Sequence, residues 1–139
     1  MLTRVLFALV LMCGMITSAA AEDVKVLALG ITTHEVAAED LAKGAALPTP
    51  HFNTPAIAYV LAANLKKGDI VEIALANGDT RLLQNTETLG EDQASYLLQA
   101  GKRAVPAGGW PEGTYRATLK ITRDGKPLVE QSSKPIPFD

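Results

Sequence analysis

The side chains able to do chemistry are few and scattered along the chain. The only histidines are His34 and His51. Imidazole with carboxylate is a donor set for zinc or copper, so a metal site would require both to converge with Glu35, Glu39 or Asp40. Neither belongs to a paired spacing, and both stand beside loop segments, which is the setting of a solvated side chain. Ser95, Ser132 and Ser133 could act as nucleophiles only on a strained turn within reach of a base, and none stands in a G-x-S-x-G context. The adjacent acids Glu39-Asp40 and Glu91-Asp92 could serve acid-base work, but neighbouring acids at these positions read as soluble loop. "AGGWPEG" has glycines without a phosphate-cradle pattern and precedes a strand, where a cradle would open a helix. Trp110, between the turn formers of "GGWPEG", has two readings: an exposed anchor for a partner, or a large apolar side chain closing the end of a core.

These residues must be positioned by whatever the chain folds into, and its compartment comes first. A basic Arg4, an apolar run over residues 5–16 and small residues ending at Ala19 and Ala21 read as a secretory signal peptide over residues 1–21. The apolar run is too short to span a bilayer. Removing 21 of the 139 residues leaves 118, one domain over residues 22–139. Cys13, the one cysteine, leaves with the leader, and cysteine chemistry leaves with it. Cleavage takes one of 13 basic residues and none of the 15 acidic ones, moving the net charge from −2 to −3. Nucleic acid needs a clustered basic face, which pairs such as Lys66-Lys67 and Lys102-Arg103 do not make.

Period-two alternation dominates the remainder. "VKVLALGIT" is apolar on both faces, with Leu27, Leu29 and Ile31 on one and Val24, Val26 and Ala28 on the other, as in a strand covered on both sides or placed near a sandwich edge. The Ala, Glu and Leu of "THEVAAEDLAKG" permit one short helix near residues 36–43, closed by Gly44. Three prolines make "ALPTPHFNTP" a loop. "AIAYVLAAN" places Ile57, Tyr59, Leu61 and Ala63 on one face, and "IVEIALANGD" places Val71, Ile73 and Leu75 likewise. These two are expected to be consecutive antiparallel strands, followed by a type I′ turn with Asn77-Gly78 at its two central positions. Residues 91–101 fit a strand with Tyr96, Leu98 and Ala100 inward, although Gly101 would also end a helix. Tyr115, Ala117, Leu119 and Ile121 share the inward face of the next strand, and prolines 127, 135 and 137 place the last segment at an edge. About seven short strands predict an all-β fold, a single antiparallel β-sandwich.

"EGTYRA" resembles the tyrosine-corner segment of immunoglobulin-like and fibronectin type III domains. The resemblance implies structural roles for Gly113 and for Tyr115, which opens the penultimate strand and bonds its hydroxyl back to nearby backbone. Ala117 occupies the place of the second cysteine of antibody domains. "GTYRATLKITRDGKPL" is also similar to the closing strands of CopC-type periplasmic copper carriers, but Lys126 replaces the histidine of their D-G-H-P turn. Their N-terminal histidine would here be Glu22.

The resulting expectation is a non-catalytic periplasmic or secreted accessory module of the bacterial cell envelope, without cofactor or metal. Its partner is another envelope protein or envelope component, met through a sheet edge or the loops around Trp110. The alternatives are a periplasmic copper-type carrier using His34 and His51, and then a hydrolase with an unrecognised site. N-terminal sequencing of the exported protein is expected to begin at Glu22; a mature chain retaining Cys13 would overturn the leader assignment.

Overall fold

The computed structural model describes residues 23–139, so the expected leader with Arg4, Cys13, Ala19 and Ala21, and Glu22 after it, lie outside the described residues. The described chain is an all-β sandwich. Its strands are β1 (Lys25–Thr32), β2 (Ala56–Leu65), β3 (Ile70–Asn77), β4 (Thr80–Thr88), β5 (Gln93–Lys102), β6 (Thr114–Arg123), β7 (Lys126–Ser132) and the two-residue β8 (Ile136–Pro137). One helical turn, α1 (Ala38–Ala42), follows β1. A three-stranded sheet in the order β1-β2-β5 faces a larger sheet in the order β4-β3-β6-β7, with β8 also paired to β6. Every pairing is antiparallel.

The alternation read from the sequence becomes the core. Val71, Ile73 and Leu75 on β3 and Tyr115, Leu119 and Ile121 on β6 are buried against Val60, Leu98 and Ala100 of the other sheet. Residues 91–101 resolve as strand, with Leu98 and Ala100 buried and Tyr96 packed at the margin. The short helix is present, shorter than the stretch that permits it. It ends in a Schellman pattern, in which Ala45 N–H donates to the Asp40 carbonyl and Gly44 N–H to that of Leu41.

Three expectations are corrected. In β1 a bulge at Leu27 breaks the alternation, so Val26 joins Leu29 and Ile31 in packing on the core, while Leu27 is 56% exposed. The turn after β3 is formed by Gly78-Asp79, because Asn77 pairs with Thr80; only Gly78 has positive φ, which fits a type II′ turn with glycine first. Asn77 is instead drawn into the ladder with Tyr115.

Third, β2 and β3 are not a hairpin. They belong to different sheets, and the chain crosses between them at residues 66–69. Asp69 is fully buried there. Its carboxylate accepts two hydrogen bonds from the Arg123 guanidinium, each 2.8 Å, and another of 2.8 Å from the Lys66 amide. The Leu89 amide donates to the Asp69 carbonyl, and the Lys67 amide to the Asp92 side chain, so two of the three crossings between sheets, β2 to β3 and β4 to β5, are tied at one corner.

The three-stranded sheet has an apolar outer face as well as an inner one. Ile57, Leu61 and Val36 are buried yet lie outside the central cluster. Residues 33–50 cover this face as a strap. The Gln99 side chain bonds both backbone groups of Val36, accepting from its N–H at 2.9 Å and donating to its carbonyl at 3.2 Å. Thr32 Oγ1 donates to the Pro48 carbonyl, and α1 packs on β1. On the side where β4 and β5 meet, Asn85 Nδ2 donates to the Gln99 carbonyl and links the two sheets.

The Arg123 hydrogen bonds hold the Asp69 carboxyl below the usual carboxylate range, against the opposing effect of burial and with the help of the Lys66 amide. A depressed folded pKa gives stability that is complete above the unfolded value and is lost as pH falls through the folded one. Asp69→Asn leaves the guanidinium without its counter-charge and is expected to cost about 3 kcal/mol in denaturant melts at pH 7. The wild-type advantage is expected to shrink below about pH 4, where the unfolded carboxyl begins to protonate.

Candidate functional site

The loops between strands collect at one end of the sandwich. The end of β1, the start of β2, the end of β5 and the start of β6 meet there, which brings His34, His51 and Trp110 to the same end. Trp110 is only 6% exposed. Its ring meets Tyr115 and Phe138 edge-on, at centroid distances of 6.3 and 6.2 Å, and those two stack at 3.8 Å. Its indole N–H donates to the Thr54 carbonyl at 2.7 Å, and its backbone N–H to the Phe52 carbonyl at 2.8 Å. Trp110 therefore closes the core and pins the 51–55 loop to the loop before β6. As a freely exposed anchor it is not available.

Gly113 and Tyr115 sit beneath it. The fully buried Tyr115 donates its hydroxyl to the Pro111 carbonyl at 2.5 Å. Burial pushes that hydroxyl's pKa up, only partly offset by the Asn77 amide, so it stays protonated as a donor through the neutral range. The Asn77 side chain also donates to the Glu112 carbonyl, passing so close to Gly113 that a Cβ there would collide with it. Gly113 has φ of +148°, a conformation that side chains rarely adopt.

The side chain left in solvent is Phe52, 43% exposed. Its backbone N–H donates to the Asp139 carbonyl, and its ring lies where a side chain on Gly109 would stand. The only sequence signal for it was a large aromatic inside a three-proline loop, where no strand period could bury it. Phe52, Trp110 and Phe138 line a shallow cleft of about 480 Å³ together with the exposed residues Glu112, Thr114 and Asp139. On the other flank of Trp110, Leu82, Leu83, Pro106 and Pro111 line a smaller apolar cleft of about 250 Å³.

The residues considered for chemistry do not converge. His34 and His51 are both exposed; the His34 ring stands 3.4 Å from the Thr33 hydroxyl, and the His51 amide donates to Thr54 Oγ1. Glu35 is engaged by the Arg103 guanidinium, and Glu39 and Asp40 lie in the first turn of α1. Among the described residues no three His, Cys, Asp or Glu side chains form a group able to hold a metal. Ser133 Oγ accepts from the Ala117 amide, a ladder bond beyond the end of β7. Ser95 pairs with Ala63, roughly 20 Å along β5 from the histidine end at strand rise. Glu91 is exposed, and Asp92 caps the turn at Lys67.

Comparison with protein-family models, with curated proteins and with solved structures finds no match to this chain.

Gly113→Ala is expected to cost about 2 kcal/mol through backbone strain and displacement of Asn77. Tyr115→Phe is expected to cost about 1 to 2 kcal/mol, since it leaves the Pro111 carbonyl without its donor while keeping the ring stack. Urea melts of both variants measure these losses; a neutral Tyr115→Phe would remove the hydroxyl from any role in holding this end.

Proposed function

We propose that the protein is a non-catalytic binding module, exported by the leader at residues 1–21, that acts on another protein or component of the bacterial cell envelope through the end of its sandwich. The observation that carries this reading is the cleft beside Trp110. A solvent-facing aromatic, Phe52, sits there on a loop held by hydrogen bonds to Trp110 and Asp139 instead of on a free one. Apolar side chains held ready at a surface are what a partner buries at little ordering cost. The sandwich reads as an immunoglobulin-like or fibronectin type III-like module on two supports, the strand order of its sheets and the Tyr115 hydroxyl bond to backbone four residues upstream. One departure accompanies them: β4 pairs with β3 in the larger sheet, whereas a constant-type immunoglobulin domain keeps its fourth strand with the first two. Among the described residues no helix is long and apolar enough to cross a membrane.

The test is site-specific photo-crosslinking in intact envelopes, with the photoreactive residue at position 52 and, as control, at the exposed Ser95 near the opposite end. A discrete crosslinked product from position 52 and none from position 95 is expected; equal yields from both would overturn the reading. A carrier would instead bind copper or zinc, and a metal at a hundredfold excess over its Kd would raise stability by about 2.7 kcal/mol. Thermal melts with and without metal are expected to coincide, and a rise abolished by His34→Ala or His51→Ala would favour the carrier.

A further inference from the structure

The reading of the Trp110 end as a binding surface leaves open what chemistry it recognises, and the inference drawn here rests on that reading. We propose that the Phe52 cleft accepts the arginine side chain of a partner polypeptide, its guanidinium lying against Phe52 and facing the carboxylates of Glu112 and Asp139. The lining carries its own argument. Its aromatic members are Phe52, Trp110 and Phe138; its charged members are Glu112 and Asp139, and none of its residues is a cation. Both carboxylate side chains are solvent-exposed, and among the described residues neither takes part in an ion pair or a side-chain hydrogen bond. Glu35, at the same end, is by contrast already paired with Arg103.

Charge complementarity selects the occupant. An aromatic face presents negative potential to a cation, and two carboxylates in the lining add to it. An anion would meet repulsion from both, and a neutral apolar group would desolvate them without compensation. Among cations the guanidinium fits best, because its plane stacks on a ring while its fork donates to carboxylate oxygens, and it sheds water more easily than an ammonium. The cleft, about 480 Å³, is large enough for such a group. Its walls are set before any ligand arrives: Trp110 is bonded to Thr54 and Phe52, and the Phe138 amide donates to the Gly113 carbonyl.

The probe is N-acetylarginine methylamide, titrated into the purified, isotope-labelled protein and followed by backbone NMR, with the citrulline counterpart as a neutral isostere. Saturable shifts are expected at Phe52, Glu112, Gly113 and Thr114, with a Kd on the order of millimolar for so small a ligand. Citrulline is expected to bind at least about tenfold more weakly, as one lost charge-assisted contact requires. Glu112→Gln, a surface change that leaves the fold intact, is expected to weaken arginine by about two- to fivefold. Equal binding of citrulline, an unchanged Kd in Glu112→Gln, or shifts confined to other faces would overturn the proposal. Cleft shifts on dilution without any probe would make the occupant a second copy of this chain and overturn it as well. The crosslinking experiment separates the two failures. A product at position 52 with no arginine binding leaves the binding module standing and removes the cation; arginine binding with no product keeps the cation site and removes the envelope partner.

Discussion

The constraint from which the rest of the structure follows is that β2 is apolar on both faces. Ala56, Ala58, Val60 and Ala62 face the core, and Ile57 and Leu61 on the other face are buried just as deeply. A strand of this kind cannot remain on the solvent side of a two-sheet sandwich; each face must be covered, at about 25 cal/mol per Å² of apolar surface removed from water. The larger sheet covers one face. The other is covered by the strap of residues 33–50, and this explains why the chain spends a long irregular segment between β1 and β2 where a short hairpin turn would have joined them. The strap in turn delivers Pro50, which is buried, and then the loop that presents Phe52 and accepts the Trp110 bonds. The geometry of the candidate site thus descends from the sequence of a strand none of whose residues lines either cleft.

A strap of irregular backbone needs its polar groups satisfied by something other than a ladder. Gln99 supplies this by imitating a neighbouring strand, its side-chain amide both accepting from and donating to Val36. Asn85 does the same for the Gln99 carbonyl at the edge of β5, and Ser133 for the Ala117 amide where β7 stops short. Asp69 is the charged version of the device, worth its desolvation only because Arg123 and Lys66 saturate its oxygens. The same ties cap exposed edges, which otherwise invite pairing with other chains.

How much of this was legible in the sequence depends on the range of the interaction. Alternation is a local signal, so the inward faces of β3, β5 and β6 and the all-β class could be read from it. The partnering of β2 and β3 could not, because period two says which side chains share a face and nothing about which sheet receives them. The corner at Asp69 is written in residues more than fifty positions apart. The Leu27 bulge shifts the phase of β1 without any glycine to mark it. At the candidate site, Trp110 was visible as a large aromatic among turn formers, and closing the core was one of its two readings. Phe52 was passed over because the prolines around it marked only a loop. Neither histidine gained a partner from the fold, since a loop residue's neighbours are set by chain crossings that composition does not encode.

Rigidity at the Trp110 end connects these levels to recognition. A loop carrying an exposed aromatic usually loses part of its contact energy to ordering when a partner binds. Here that ordering is completed during folding. The Phe52 carbonyl and amide are both hydrogen-bonded, Trp110 is locked from two sides, and Tyr115 and Phe138 stack below it. The folded core, built for its own burial, therefore fixes the position of the one large aromatic side chain this end leaves in water. On the binding reading proposed above, a partner would meet loops that are already ordered, and selectivity would then fall to the carboxylates of Glu112 and Asp139.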